Sequence, residues 1–348
     1  MEGRSTVYNK ITSEEKIAQI NIKNQELCSD FIEYLKSIDR SPSTIYAYEQ
    51  DLNVFMVWNL ENNSNKEFIK ITKRELTKFQ NHALNVWGWS PRRLRRIKSV
   101  ISSLSNFITD ILDEEEEYQD FKSIIKKIPS PLNEEVREKT VFEPEELEKL
   151  LDKLVEEKKY MQACMVGLAM NSGRRKSELP RFKVEYFDKS NIKFGSLYCT
   201  PEKVKTKGRG VKGKQLTLYV LKNGFEKYLN LWLEERERLG ITSEWLFPDK
   251  TNGEWSETNQ IAVGKLDSWA DYYSQILGKP FYWHSLRHYF TTMCVKSKLP
   301  QNVIQSIIGW TSGDMVNLYT DLSVEDTIGE YFNEDGIVVQ EEKKLSDI

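Results

Sequence analysis

Apolar residues recur along most of this chain at helical spacing. Leu27, Phe31, Ile32 and Leu35 mark one face. Ser41-Pro42-Ser43 then breaks the chain and opens a second helix, with Ile45, Tyr48, Leu52 and Phe55 on one side. Thr72 and Glu75 have the spacing of a capping box for a third. Ser90-Pro91 places an N-cap before proline at the first helical position of a fourth, which carries Leu94, Ile97, Ile101, Leu104, Ile108 and Ile111 inward. A second helical series follows. F-E-P-E-E-L-E-K-L-L starts a helix with proline in its first turn, and Met161, Cys164, Met165 and Leu168 line the next, which ends at Asn171-Ser172-Gly173. Residues 191–199 and 215–220 alternate as strands around a Gly/Lys-rich loop at 203–214. Helices return at 225–239 and 285–298, and Pro300 to Gly309 brackets a last one built on Val303, Ile304, Ile307 and Ile308. Trp245-Leu246-Phe247-Pro248 reads as a structural strand or turn. The pattern predicts a mainly α protein with a small antiparallel β-sheet.

Polarity sets the boundaries. Residues 1–22 are polar with weak periodicity and read as an arm, either a frayed helix or disordered. Residues 23–112 read as one helical domain. Six acids between Asp113 and Asp120, followed by I-P-S-P, mark residues 113–139 as a solvated linker. A second domain runs over 140–322, and 323–348 is an acidic tail with an apolar stripe of Val324, Ile328, Tyr331 and Phe332. That stripe packs on its own domain or docks on a neighbouring protomer.

Composition changes the picture only through its distribution. The formal net charge of -3 argues against a nucleic-acid partner, yet ten Lys/Arg stand against two acids between Lys66 and Lys98, and six against one between Pro201 and Lys214. Local potential governs phosphate binding. Lys73, Arg74, Lys78, Arg92, Arg93, Arg95, Arg96 and Lys98 in the first basic stretch, and Lys203, Lys207, Arg209 and Lys212 in the second, are therefore the candidate DNA contacts. The arginine run also starts a helix, and a helix N-terminus favours a phosphate. No apolar run approaches a membrane span, and the four cysteines lack metal spacing, as expected of a cytoplasmic protein with reduced thiols.

Two of the three histidines, His284 and His288, flank Arg287. His-x-x-Arg puts an imidazole and a guanidinium on adjacent turns of one helix face, a donor set suited to phosphate. Few further His, Cys or carboxylate partners stand nearby, so no metal is expected.

His284-Ser285-Leu286-Arg287-His288, then Gly309-Trp310, then Tyr319 resembles the C-terminal signature of the tyrosine recombinases, the phage integrase family with the Cre and Xer recombinases. The resemblance extends to Gly173-Arg174-Arg175-Lys176-Ser177-Glu178-Leu179, in which the G-x-R-x-x-E register selects Arg175 over its neighbour Arg174. It includes a lysine in Val204-Lys205-Thr206-Lys207, preferably Lys205, with Lys203 and Lys207 as alternatives. It implies a two-domain DNA clamp in which a helical core-binding domain joins an α+β catalytic domain. It implies a DNA strand-transferring enzyme without metal, ATP or other cofactor. Tyr319 would be the nucleophile; Arg175, His284, Arg287 and Trp310 would surround the scissile phosphate; Lys205 would protonate the leaving oxygen; Glu178 and His288 would support them. Trp310 stands where many relatives carry His, and an indole donates one N–H but shuttles no proton. The implied partners are double-stranded DNA bearing specific sites and a homo-tetramer on two sites, assembled from monomers or dimers, with accessory DNA-bending or directionality proteins as candidates. A type IB topoisomerase and a non-catalytic architectural DNA-binding protein are the alternatives.

Overall fold

Two hydrophobic cores form, one for each of two compact units. The computed structural model describes residues 11–123, 125, 128–132, 140–206, 214–310, 312–313, 315, 332–333 and 336–337. The described residues before 133 lie in the first unit and those from 140 onward in the second.

The first unit is helical: α1 (Glu14–Ala18), α2 (Ile22–Ser37), α3 (Pro42–Asn62), α4 (Lys73–Asn85) and α5 (Pro91–Ile111). The sequence signals act as read. The Ser41 and Ser90 side chains accept from the backbone at Thr44 and Arg93, each before a proline. Thr72 and Glu75 form both halves of the capping box. Leu94, Ile97, Ile101, Leu104 and Ile108 turn inward from α5, whereas Ile111, expected inward, is exposed at the helix end.

The segments read as an arm and as a solvated linker belong to this core where they are described. Ile11 and Ile20 are buried, and Asn21 bonds Asn65 through its backbone N–H (2.9 Å) and side-chain amide (3.2 Å), so residues 11–22 are part of the unit rather than an arm. In the expected linker, Ile125 is buried and Tyr118, Phe121 and Ile128 pack against the same core, while Glu117 pairs with Lys23 at 2.5 Å. Four apolar side chains there outweigh the acid run, whose charges stay at the surface.

The second unit opens with α6 (Pro144–Glu156) and α7 (Tyr160–Met170), which ends before Gly173 in the left-handed region, φ +60°. The antiparallel strands β1 (Ile192–Lys193), β2 (Leu197–Cys199) and β5 (Tyr219–Leu221) form one small sheet in the order β1-β2-β5. The ribbon β3 (Val204–Lys205) with β4 (Gln215–Leu216) stands apart, with Lys205 opposite Gln215. The strands are thus shorter and more divided than the alternation suggested. After α8 (Glu226–Arg238) come a hairpin, β6 (Pro248–Thr251) and β7 (Glu254–Gln260), and α9 (Lys265–Leu277), all beyond the sequence reading. Then α10 (Trp283–Lys296) carries His284 to His288, and α11 (Gln301–Ile308) ends directly before Gly309 and Trp310. The short strands β8 (Phe332–Asn333) and β9 (Gly336–Ile337) pair with each other.

Candidate active site

Trp283, the first residue of α10, anchors that helix. Its indole N–H donates to the Leu266 carbonyl at 2.8 Å, and its ring packs edge-on against Tyr273 and Phe281. His284 therefore stands in the first turn, with Arg287 one turn on and wholly buried. The His284 and His288 rings meet edge to face at 5.5 Å between centroids.

Arg287 reaches back 114 residues and donates from Nη1 to the Gly173 carbonyl at 2.6 Å. The next loop residues carry two arginines with different surroundings. Arg174 is buried at 1% exposure, donating from Nε to the Ser172 carbonyl at 3.1 Å and from Nη2 to the Ile307 carbonyl. Arg175 keeps about a third of its side chain exposed and pairs with the buried Glu178, Nη1 to Oε1 at 2.8 Å, while its backbone N–H donates to Oε2 at 3.1 Å. Burial pushes the Glu178 carboxyl up, but the Arg174 charge and the Arg175 hydrogen bonds outweigh it and hold the group below the ordinary glutamate value. Arg175 is the more accessible arginine, with its fork oriented by a charged carboxylate.

His284 has its pKa pushed down to about 4, first by burial, then by His288, Arg287 and Arg175. Its imidazole is neutral at pH 7. Trp310 follows Gly309, the left-handed cap of α11, and its ring lies 5.1 Å from the Arg287 guanidinium carbon. Lys205 is exposed on β3, and the ribbon is held at its backbone: Arg181 donates to the carbonyls of Lys205 and Thr206. Lys203 is also exposed. Lys214, on the returning side, donates to the Gly309 carbonyl at 3.0 Å. Arg175, His284, Arg287 and Trp310 thus converge, with the Lys205 ribbon tied to the same frame. Tyr319, Lys207, Arg209 and Lys212 lie outside the described residues.

Sequence reasoning weighed Arg174 only as a rival to Arg175 and passed over Arg181 and Lys214, so three tethering cations went unread. Their partners are backbone carbonyls distant in sequence, which leave no residue pattern to read. The adjacency of Arg174 to Arg175 was the single available signal.

The basic stretch of the first unit divides. Lys73, Arg74, Lys78, Arg92, Arg95 and Arg96 are exposed. Lys98 is a correction: it is buried, and its ammonium donates to the carbonyls of Ile128 (2.8 Å) and Pro129 (3.2 Å) and to Gln80 (3.2 Å), holding the 121–132 segment instead of facing solvent. Arg93 is mostly buried, stacked 4.4 Å from the Trp89 centroid. Arg93 and Arg96 bind the two oxygens of the buried Asp51 at 2.7 and 3.0 Å. Among the described residues no group of three or more His, Cys, Asp or Glu is placed to hold a metal, and no helix is long and apolar enough to cross a membrane.

A helical unit and an α+β unit, the second carrying Arg, His-x-x-Arg and Trp in convergence beside a lysine-bearing ribbon, define a tyrosine recombinase. The chain belongs to the phage integrase family, whose model matches residues 140–326. It is 28% identical over 267 residues to the SPbeta prophage-derived recombinase-like protein YomM of Bacillus subtilis (strain 168), covering 75% of each. It is 25% identical over 209 residues to the integrase of Salmonella phage P22, covering 58% of this chain and 48% of that protein. Its fold is similar to that of the XerH site-specific recombinase solved with a palindromic difH substrate in a post-cleavage complex, with TM-score 0.63, 17% identity, and 93% and 91% of the two chains covered. The chain is a site-specific, DNA strand-transferring recombinase. The relaxing-enzyme and architectural alternatives are not favoured.

Proposed function

We propose that the chain cleaves and rejoins double-stranded DNA at specific sites through a 3′-phosphotyrosyl link to Tyr319. The observation that carries this reading is the gathering of His284 and Arg287 on one turn of α10, with Trp310 against the Arg287 guanidinium and the Arg175 loop held by Arg287 at Gly173. A scissile phosphate among them meets two guanidinium forks and two ring N–H groups. These donors stabilise the charge that grows on its non-bridging oxygens in the transition state. Neutral His284 takes the Tyr319 proton as the phenolate oxygen attacks phosphorus. The bond to the 5′ oxygen breaks, and Lys205 supplies that oxygen's proton. Glu178 orients Arg175, and His288 supports His284. The 5′-hydroxyl of a partner strand then reverses the reaction and frees the tyrosine. The phosphodiester energy is kept in the covalent link, so ATP has no step to drive. The protein's own cations take the charge-stabilising part that Mg²⁺ plays in many phosphoryl transfers.

The first unit supplies DNA affinity through Lys73, Arg74, Lys78, Arg92, Arg95 and Arg96. Arg93 acts mainly by packing. In the sequence, Lys203, Lys207, Arg209 and Lys212 flank the general acid. Four cleavages per exchange require four protomers on two sites, with residues 323–348 docking on a neighbour and accessory proteins setting direction.

The test uses nicked DNA from the flanks of the gene's own element, incubated with the protein in EDTA. An SDS-resistant adduct with wild type and none with Tyr319→Phe is the expected result. An adduct that survives Tyr319→Phe assigns the nucleophile elsewhere. Tight specific binding with no adduct removes the catalytic reading under these conditions.

A further inference from the structure

The C-terminal end of α11 is where three parts of the site meet. The Ile307 carbonyl, in its last turn, accepts from Arg174 Nη2. The Gly309 carbonyl, one residue past the helix, accepts from Lys214 Nζ at 3.0 Å. Trp310 follows at once. Arg174 comes from the loop that carries Arg175. Lys214 directly precedes β4, where its carbonyl accepts from the Thr206 N–H at 2.7 Å and the Thr206 hydroxyl at 2.9 Å. Two cations therefore reach one helix end from two different catalytic elements.

That end is a natural cation site. The last carbonyls of a helix lack intrahelical donors and carry the negative pole of its dipole. Gly309 ends the helix in the left-handed region, φ +79°, and a Cβ there would run into the Leu216 side chain of β4, so that side chain packs directly on the backbone at the end of α11. Burial pushes the Arg174 guanidinium down to about 10, which still leaves it charged at neutral pH. An apolar side chain would fill the space without desolvating a charge. What arginine alone supplies is a fork aimed at two carbonyls, Ser172 before the catalytic loop and Ile307 before Trp310.

We propose that Arg174 and Lys214 are positioning residues for DNA cleavage: together they fix the end of α11, and so the Trp310 indole, against the Arg175 loop and the Lys205 ribbon. The inference rests on the reading of Arg175 and Trp310 as phosphate ligands. A displacement of Trp310 by about 1 Å is enough to cost on the order of 10²-fold in rate.

The experiment is single-turnover cleavage of nicked site DNA by the full chain, read as SDS-resistant adduct at saturating DNA, with affinity followed by gel shift. Arg174→Met and Lys214→Met are each expected to slow cleavage by about tenfold or more while affinity stays within about threefold. Arg174→Lys keeps the charge without the fork and recovers part of the loss. In a Trp310→Phe background, Lys214→Met should add less than about twofold, because its effect runs through the indole. Full multiplicative losses in that background, or wild-type rates in both Met variants, overturn the proposal. Should Arg174→Met not fold by circular dichroism, Lys214→Met decides alone, since it removes no core side chain. Wild-type cleavage by both Trp310→Phe and Arg175→Gln would instead remove the underlying reading of the site, a different and separable result.

Discussion

The Arg287 guanidinium donates to the Gly173 carbonyl at 2.6 Å, so one buried cation of α10 holds the loop on which Arg175 stands. Gly173 makes that approach workable. It lies at φ +60°, and a Cβ there would come within 2.7 Å of the Phe290 ring carbon Cδ1. Gly173→Ala should cost about 1–2 kcal/mol for the left-handed backbone alone, with the Phe290 overlap added to it. Thermal unfolding measures the first effect. Single-turnover cleavage should fall further than the lost folded fraction explains, because both arginines shift. Wild-type cleavage by folded Gly173→Ala would show that the loop position does not matter.

His284 gives a pH signature with a definite sign. In the free protein its imidazole should titrate near 4, well below the ordinary value of about 6.5. Only the unfolded chain binds that proton readily between the two values. The stability tied to His284 is therefore complete above about pH 6.5 and is lost as pH falls towards the folded value. With three histidines in the chain, the ring protons are separable by NMR. A midpoint at or above the ordinary value would contradict the packing of His284 among Arg175, Arg287 and His288. The His284→Gln variant should show a smaller acid-side loss of stability over the same window.

The site was more legible in the sequence than its support. His284 and Arg287 stand out because their fixed spacing becomes one face of α10, and Arg175 and Trp310 through the motifs that carry the resemblance. Arg174, Arg181 and Lys214 do not, because each binds a carbonyl whose place depends on tertiary folding. The helices of the first unit followed from caps and period. Residues 113–132 were misread because six acids dominate the composition while Tyr118, Phe121, Ile125 and Ile128 make the contacts. The strand Glu254–Gln260, E-W-S-E-T-N-Q, has no apolar alternation to detect, since its pairing with Pro248–Thr251 is carried by backbone bonds.

Charge alone would group Lys98 with Arg92, and burial separates them. Lys98→Met leaves the carbonyls of Ile128 and Pro129 without their ammonium donor and should destabilise the first unit by about 1–3 kcal/mol. DNA affinity should stay within about twofold, since no phosphate contact is removed. Arg92→Gln, on the exposed first turn of α5, should do the reverse: stability within about 0.5 kcal/mol, weaker binding, and a salt slope reduced by about one. Denaturant unfolding and gel shifts at several salt concentrations distinguish the two. Equal losses of affinity would place Lys98 on the DNA after all.

Asp51 sets two physical effects against each other. Its carboxylate is fully buried and binds Arg93 and Arg96 at 2.7 and 3.0 Å. If Coulomb attraction to phosphate governs, Asp51→Asn removes a negative charge from beside the α5 arginines and should tighten binding. If orientation governs, binding should weaken, because an asparagine offers one oxygen acceptor where the carboxylate offered two, and its NH₂ faces the other guanidinium. Orientation should win. The carboxylate is already neutralised by two cations, so its removal changes the long-range field little, whereas Arg96, half exposed, loses the partner that fixes its Nε. Affinity should drop by about tenfold, the scale of one ordered arginine contact. In an Arg93→Gln/Arg96→Gln background the same substitution should change affinity by less than about twofold. Tighter binding by a folded Asp51→Asn variant would show that its charge, not its geometry, is what the DNA senses.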